Sequence, residues 1–454
     1  MKNKARFILG IVLLSLLTLT FSIQFAAASA SEFTQAYGLS GDNELYSVVQ
    51  TSDGGYALGG FTNSSGAGGY DFWLVKTDAN GTMLWNQTYG GTGDDYAYSV
   101  IQTSDGGYAL AGSTDSFGPG ETNAWLVKTD ANGNMVWNQT YGGRATNEAT
   151  AVIQTSDGGY ALAGYTDSYG AGSYDFWLIK TDANGTMLWN QTYGGTGDDE
   201  AYSVIQTSDG GYALAGYTAS FGAGMDDFWL VKTDSSGNLQ WSQTYGGSGD
   251  DEAYSVIQTS DGGYALAGFT NSTGAGGYDF WLVKTDANGT MLWSHPYGGS
   301  GDEFGSAVVQ TSDGGYAITG PTDSYGAGNF DFWLVKTDSS GNMQWNKTYG
   351  GSGDDESYSL IVTSDGGFAM AGFTDSFGIG IYDGWLVKTD SSGNTVISQS
   401  SSSGISELET IGIIVVLAIV IILVVVLLLR GRRKSSGSKT NSQSGNPPAP
   451  TSPF

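Results

Sequence analysis

Along most of the chain, apolar and polar positions alternate in short runs that end at clusters of Gly, Asn, Asp and Ser. In the stretch beginning near Glu252, Ala253–Gln258, Tyr264–Phe269 and Asp279–Lys284 each read as a strand, and Met291-Leu-Trp293 opens a fourth. Aromatic and β-branched residues dominate these segments, as a pleated, half-buried surface requires. Asp261-Gly262 predicts a tight hairpin between the first two strands. Asp286-Ala-Asn-Gly289 predicts a type I turn closed by a left-handed glycine between the last two. No segment sustains a helical period.

The four-strand unit repeats. Thr-Ser-Asp-Gly-Gly recurs with its aspartate at 53, 105, 157, 209, 261, 313 and 365, and Trp-Leu-Val/Ile-Lys-Thr-Asp recurs with its tryptophan at 73, 125, 177, 229, 281, 333 and 385. Every interval is 52 residues, without insertion or deletion. Seven copies of four antiparallel strands predict an all-β, seven-bladed β-propeller spanning residues 31–400. An open solenoid needs atypical polar caps, and none is visible. Instead, Phe33-Thr-Gln-Ala-Tyr-Gly38 aligns with Trp85-Asn-Gln-Thr-Tyr-Gly90, an extra fourth strand ahead of the first unit. The last unit's own fourth strand is degraded, with Ile397 where the other six carry Trp. Phe33–Tyr37 is therefore expected to complete the last blade, which leaves no sheet edge open. The competing strand is Thr395–Gln399.

The motifs Tyr-Gly-Gly-Ser-Gly-Asp-Asp-Glu, Ser-Val-Ile-Gln, Gly-Gly-Tyr-Ala-Leu-Ala-Gly, Asp-Phe-Trp-Leu-Val-Lys-Thr-Asp and Gly-Asn-Met-Gln-Trp resemble the SBBP-type β-propeller repeats of prokaryotic surface proteins. The resemblance covers the whole array. It implies a propeller at a cell surface, of a kind typical of archaeal envelopes, and carries over no catalytic residue.

The ends of the chain change the picture from fold to location. Lys2, Lys4 and Arg6 precede an apolar run to Phe25, followed by Ala26-Ala-Ala-Ser-Ala30, which predicts a signal peptide over 1–30. Residues 401–410 read as a stalk. Ile411–Leu429 is uncharged and long enough, as a helix, to span a bilayer. Arg430, Arg432, Arg433 and Lys434 follow and are expected on the cytoplasmic side, at the start of a basic, disordered tail over 430–454. The expected product is a single-pass type I membrane protein with its propeller outside. All 45 acids fall in residues 31–409 with only nine of the 17 bases. That excess of acid makes nucleic-acid binding untenable. The absence of cysteine excludes disulfides and thiolate chemistry, and a single histidine, His295, excludes a multi-histidine metal site.

Consecutive strands reverse direction, so the 1–2 and 3–4 turns share one face and the long 2–3 and 4–1 loops share the other. Function is expected on the long-loop face, at the mouth of the central channel. Its 4–1 loops carry the acid pairs Asp94/Asp95, Asp198/Asp199, Asp250/Asp251, Asp302/Glu303 and Asp354/Asp355. Asp42/Asn43 and Thr146/Asn147, the latter near Arg144, depart from the pattern. Asp94, Asp95, Asp198, Asp199, Asp250, Asp251, Asp354 and Asp355 are candidate Ca²⁺ ligands, because hard cations take clustered oxygens. The competing reading is turn capping, since no Asp-x-Asp-x-Asp-Gly loop is present. Both tryptophan sets lie within strands and are expected to fill the gaps between blades. The loop aromatics Phe117, Tyr169, Phe221, Tyr325 and Phe377 are the better sugar contacts. Lys284 and its six counterparts are expected to neutralise strand carboxylates such as Asp279. His295, before Pro296, reads as drift in an edge strand. Asn63, Asn80, Asn86, Asn138, Asn184, Asn190, Asn271, Asn288 and Asn346 head Asn-x-Ser/Thr sequons and are candidate glycan sites.

The expected role is non-catalytic binding, adhesion or envelope structure, with an unidentified protein or glycan ligand and no cofactor. The alternative is a Ca²⁺-dependent carbohydrate-binding or hydrolytic propeller. The deviant second unit, with Arg144, Asn147, Glu148 and Pro119-Gly-Glu121, is the place to look for a unique site.

Overall fold

The computed structural model describes residues 32–395. The expected signal peptide, stalk, membrane helix and tail lie outside the described residues. Seven four-stranded antiparallel sheets fill the described chain, and six consist of four consecutive strands. Blade one comprises Asn43–Gln50, Tyr56–Thr62, Asp71–Thr77 and Met83–Tyr89. Blades two to six follow at the repeat interval. Blade seven takes Asp355–Val362, Phe368–Thr374 and Asp383–Thr389, and its fourth strand is Phe33–Tyr37. That strand pairs antiparallel with the third, from Phe33 opposite Lys388 to Tyr37 opposite Gly384. The ring is closed by its N-terminus, as the displaced Phe33–Tyr37 motif predicted. The chain is a seven-bladed β-propeller.

The core is a set of layers between blades. One such layer joins Ala109, Leu126 and Tyr141 of blade two to Val152, Leu162 and Trp177 of blade three. Trp177 is 1% exposed. The first tryptophan of each unit therefore fills the inter-blade gap, where its large apolar area is most needed. The second set lies nearer the rim, and Trp85 meets the edge of Tyr108 in the next blade at 5.9 Å.

Polar latches repeat around the ring. The fourth-strand tyrosine of each blade donates to the 3–4 turn of the next, as in Tyr89 Oη to Gly133 O at 2.6 Å. Tyr37 makes the same bond to Gly81 O, 2.6 Å, across the closure. On the short-turn face the Ser52 amide donates to Gln102 Oε1 of the next blade, 2.8 Å, and the Ser364 amide donates to Gln50 Oε1 between blades seven and one, 2.8 Å. Blade seven carries Val362 where the other six blades have this glutamine.

Two turn readings need correction. The 1–2 connection is a wider loop than the two-residue Asp-Gly hairpin expected. The Gly54 amide donates to Thr51 O and the Thr51 amide to Gly55 O, each 2.9 Å, with Gly54 at φ +87°. This is the type I turn with a left-handed fourth residue that was expected only between strands three and four. The lysine expectation also fails. Lys284 pairs with Asp261 in the 1–2 turn, 2.9 Å, and the same partner recurs in all seven blades. Asp279 begins the third strand and Lys284 stands near its end, so strand pairing carries the ammonium to the opposite face from Asp279.

Candidate functional site

The innermost strand carries a bulge in six of the seven blades; in blade six it is the shorter Ala307–Gln310. In blade one, Leu45 pairs with Gly60 and Ser47 with Gly59, so Tyr46 is left out of the ladder. Tyr98, Thr150, Tyr202, Tyr254 and Tyr358 hold the same bulged place in blades two, three, four, five and seven. A bulge breaks the two-residue alternation and re-aims a side chain. Leu45 and Val48 are buried, while Glu44 and Tyr46 stay half-exposed. In a ring of blades the innermost strand borders the axis, and these side chains line it.

The axial cavity has a volume of about 420 Å³, and all seven blades contribute to its wall. Tyr46, Tyr98, Tyr202, Tyr254 and Tyr358 are the tyrosines of the bulge register. Thr150 and Ser306 replace tyrosine in blades three and six, which face each other across the ring. The rings of Tyr46 and Tyr358 stack at 4.4 Å, and Tyr98 meets Tyr46 edge-on at 5.7 Å. Opposite them, Tyr202 and Tyr254 stack at 4.7 Å. The cavity is thus a slot between two aromatic banks, with small polar residues at its ends.

Glutamates stand two residues nearer the long-loop mouth: Glu44, Glu148, Glu200, Glu252 and Glu356, with Tyr96 and Phe304 in the other two blades. Tyrosine hydroxyls donate to them: Tyr202 to Glu200 at 2.8 Å, Tyr254 to Glu252 at 2.9 Å, Tyr358 to Glu356 at 3.0 Å and Tyr46 to Glu44 at 3.1 Å. Desolvation, opposed by the tyrosine hydroxyl and reinforced by neighbouring acids, raises Glu44 and Glu252 from 4.5 to about 7. Burial pushes Glu148, Glu200 and Glu356 in the same direction. The seven repeat lysines are engaged on the other face, and Arg144 is the one base in the described long loops. The slot is therefore an aromatic cage with an acidic collar.

The acid pairs of the 4–1 loops divide into two roles. The second member is buried: Asp95 accepts from the Thr114 hydroxyl, from Ser116 Oγ at 2.8 Å and from the Gly91 amide at 2.9 Å. Asp199, Asp251 and Asp355 are likewise buried, and each accepts from a loop serine. The first member lies at the surface and caps a loop, as Asp94 does for the Tyr70 amide at 3.0 Å, Asp198 for Tyr174 at 3.4 Å and Asp354 for Phe330 at 3.4 Å. Asp250 accepts from the Tyr278 hydroxyl, 3.3 Å. Asn43 and Asn147 occupy the buried place in the two departing loops and accept from Thr62 and Thr166, each 2.6 Å. Each buried acid also approaches the first residue of the third strand. At Gly90 a Cβ would collide with Asp71 Oδ1 and press on Asp95 Oδ2, which accounts for glycine there. Among the described residues, no group of three or more His, Cys, Asp or Glu is arranged to hold a metal ion.

The loop aromatics lie against the core tryptophans. Phe117 packs on Trp125 at 5.3 Å and Tyr325 on Trp333 at 5.2 Å, with Tyr169, Phe221 and Phe377 doing the same in their own blades. Phe117, Tyr169, Phe221 and Tyr325 remain exposed, and Phe377 is half-buried. His295 lies in the outer strand, as read, and its Nε2 stands 3.1 Å from Ser340 O. All nine sequon asparagines are exposed. In Asn86, Asn138, Asn190 and Asn346, Oδ1 accepts from the indole of the neighbouring core tryptophan.

The sequence points to the channel mouth without singling out the side chains that line it. The available signal was Glu-x-Tyr at a fixed place in four units, as Glu44/Tyr46, Glu200/Tyr202, Glu252/Tyr254 and Glu356/Tyr358.

No family model matches the chain. Regulatory protein FlaEY of Caulobacter vibrioides is 28% identical over 197 residues, which is 40% of this chain and 19% of that protein. The chain thus spans about a fifth of the length of the curated relative it matches. Among solved structures, the Neurospora crassa Pan2 WD40 domain aligns over 81% of this chain and 97% of its own, with TM-score 0.49 and 10% identity. BamB from Moraxella catarrhalis covers 80% and 97%, with TM-score 0.42 and 12% identity. Sqt1 from Chaetomium thermophilum covers 75% and 82%, with TM-score 0.43 and 13% identity. The assignment of the fold rests on the strand order and ring closure described above.

Proposed function

We propose that this propeller is a non-catalytic binding module, held at the outer side of a membrane, whose ligand enters the axial slot from the long-loop face. The observation that carries this reading is the slot itself: a concave, aromatic site with a few convergent polar groups, the usual character of a ligand pocket. The opposite face is built from near-identical hairpin turns latched to one another. The described residues end at Thr395, on that opposite face. Membrane anchorage is supported by the uncharged run Ile411–Leu429 and the bases that follow it. The SBBP-like motifs agree with a prokaryotic envelope, archaeal chains of this shape being typical. A binding role is favoured over catalysis because the channel carboxylates recur in five copies, whereas catalysis sets one group apart from its neighbours.

The test is photo-cross-linking in cells that carry the chain at its native location, with benzoylphenylalanine placed either at Tyr254 or at Ser260. The proposal expects an adduct from Tyr254 and none from Ser260. An adduct from Ser260 alone would place the working face on the wrong side.

A further inference from the structure

Building on that reading, we infer that the axial slot takes an organic cation, an ammonium or guanidinium group, between its two tyrosine banks. The slot offers aromatic faces from blades seven, one and two on one side and from blades four and five on the other. A cation held over such faces is attracted by the ring quadrupoles, most strongly where water is excluded. Five glutamates ring the entrance, and no lysine or arginine is among the residues that line the cavity: the repeat lysines are tied to the turns of the far face. The collar is thus left with tyrosine hydroxyls as its partners. An anion entering here would meet the like charge of the collar with no base to offset it, and a neutral apolar group would leave the glutamates desolvated and uncompensated. The cavity, about 420 Å³, is large enough for a lysine or arginine side chain or a small quaternary amine.

The collar also sets how binding should respond to pH. Glu44 faces Tyr46 on its own strand, Glu356 on the inner strand of blade seven and Asp42 in the preceding loop. Glu252 faces Tyr254, Glu200 on the inner strand of blade four, and the loop acids Asp226 and Asp250. No base stands among these neighbours to hold the glutamates charged. An entering cation does so, and its affinity therefore rises with pH through the range in which the empty site gives up its protons.

The experiment is titration calorimetry on the full chain with three probes. These are choline, the neutral carbon analogue of choline with a tert-butyl group in place of trimethylammonium, and a capped Gly-Lys-Gly peptide. Choline and the peptide separate a free small amine from a basic side chain on a partner protein. At least one is expected to bind, with the neutral analogue about tenfold weaker or worse. Glu252→Gln and Tyr254→Leu should each weaken the cation about tenfold, while Tyr254→Phe, which keeps the aromatic face, should retain most of the affinity. Melting temperatures of the three variants report whether the blade is intact. Affinity should increase between pH 6 and pH 8. The inference is overturned if neither cation binds, if the neutral analogue binds as well, or if Tyr254→Leu binds like the parent. If those results come with a Tyr254 cross-link still forming in cells, the cation assignment falls and the binding face stands. If the cross-link is also lost, the reading of the face falls with it.

Discussion

At the scale of single residues, the molecule sorts its acids into two opposite environments. The turn aspartates Asp53, Asp105, Asp157, Asp209 and Asp261 lose some solvation, but a threonine hydroxyl, a lysine ammonium and a glycine amide outweigh this and hold each near about 2. In Asp313 the Thr311 and Lys336 bonds dominate, with the same result. The channel glutamates are driven the other way by burial. Glu44 and Glu252, at about 7 against an ordinary 4.5, bind more protons in the folded chain and so stabilise it as pH falls below 7. That contribution is lost as pH rises through 7. The turn aspartates stabilise the fold above their ordinary 3.8, and their contribution is lost as pH falls through about 2. Calorimetric melting without ligand should therefore give its highest temperature at about pH 5, with a decline toward pH 8 and a steeper one toward pH 2. A profile flat from pH 5 to pH 8 would mean that the collar glutamates are not desolvated.

The same scale shows why one pairing was illegible in sequence. Asp261 keeps the period of Lys284 in all seven units and Asp279 in six, with Asn123 in the second, so a single unit is all that distinguishes them in sequence. The choice is made by strand pairing, which sets Ala265 opposite Lys284 and so brings the 1–2 turn to the lysine end of the third strand.

At the scale of elements, the inner strand is where sequence and structure part. Glu44, Tyr46 and Val48 share a parity, and strict alternation would put all three on one face. The bulge at Tyr46 resets the count, so Val48 joins Leu45 in the inter-blade core while Glu44 and Tyr46 face the channel. Blades three and six carry Thr150-Ala151 and Ser306-Ala307 where the others keep Tyr-Ser, which makes the ends of the slot. The outer latches were equally hidden, because a glutamine at a strand end carries no local signal of a partner one blade away. They give a direct test in blade seven. Val362 leaves Ser312 without the glutamine that Ser52, Ser104, Ser156, Ser208, Ser260 and Ser364 each have. Val362→Gln should restore the bond and add about 1 kcal/mol, visible as a rise of about 1–2 °C in melting temperature. An unchanged or lower temperature would show that these latches contribute nothing measurable to stability.

At the scale of the whole molecule, closure was the most legible feature. A period of 52 residues, a stray fourth strand at the start and a degraded one at the end together specify a ring whose first strand belongs to its last blade. Closure places the end of the described chain and the channel mouth on opposite faces. It also makes the ring depend on five residues distant in sequence from the blade they complete. Deleting 33–37 should leave the third strand of blade seven as an open edge, expose Trp385 and remove the Tyr37–Gly81 latch. The expected result is a melting temperature lower by about 5 °C or more, with self-association seen by sedimentation. A monomer that melts like the parent would mean that the ring does not need its Velcro strand.

The proposed function places the ligand in the axial slot. The most direct measurement is a crystal structure of the full chain grown with choline. The account predicts density on the propeller axis, between the Tyr46–Tyr358 pair and the Tyr202–Tyr254 pair and below the glutamate collar. Choline seated at the outer rim or on the short-turn face, with the slot filled only by water, would contradict it.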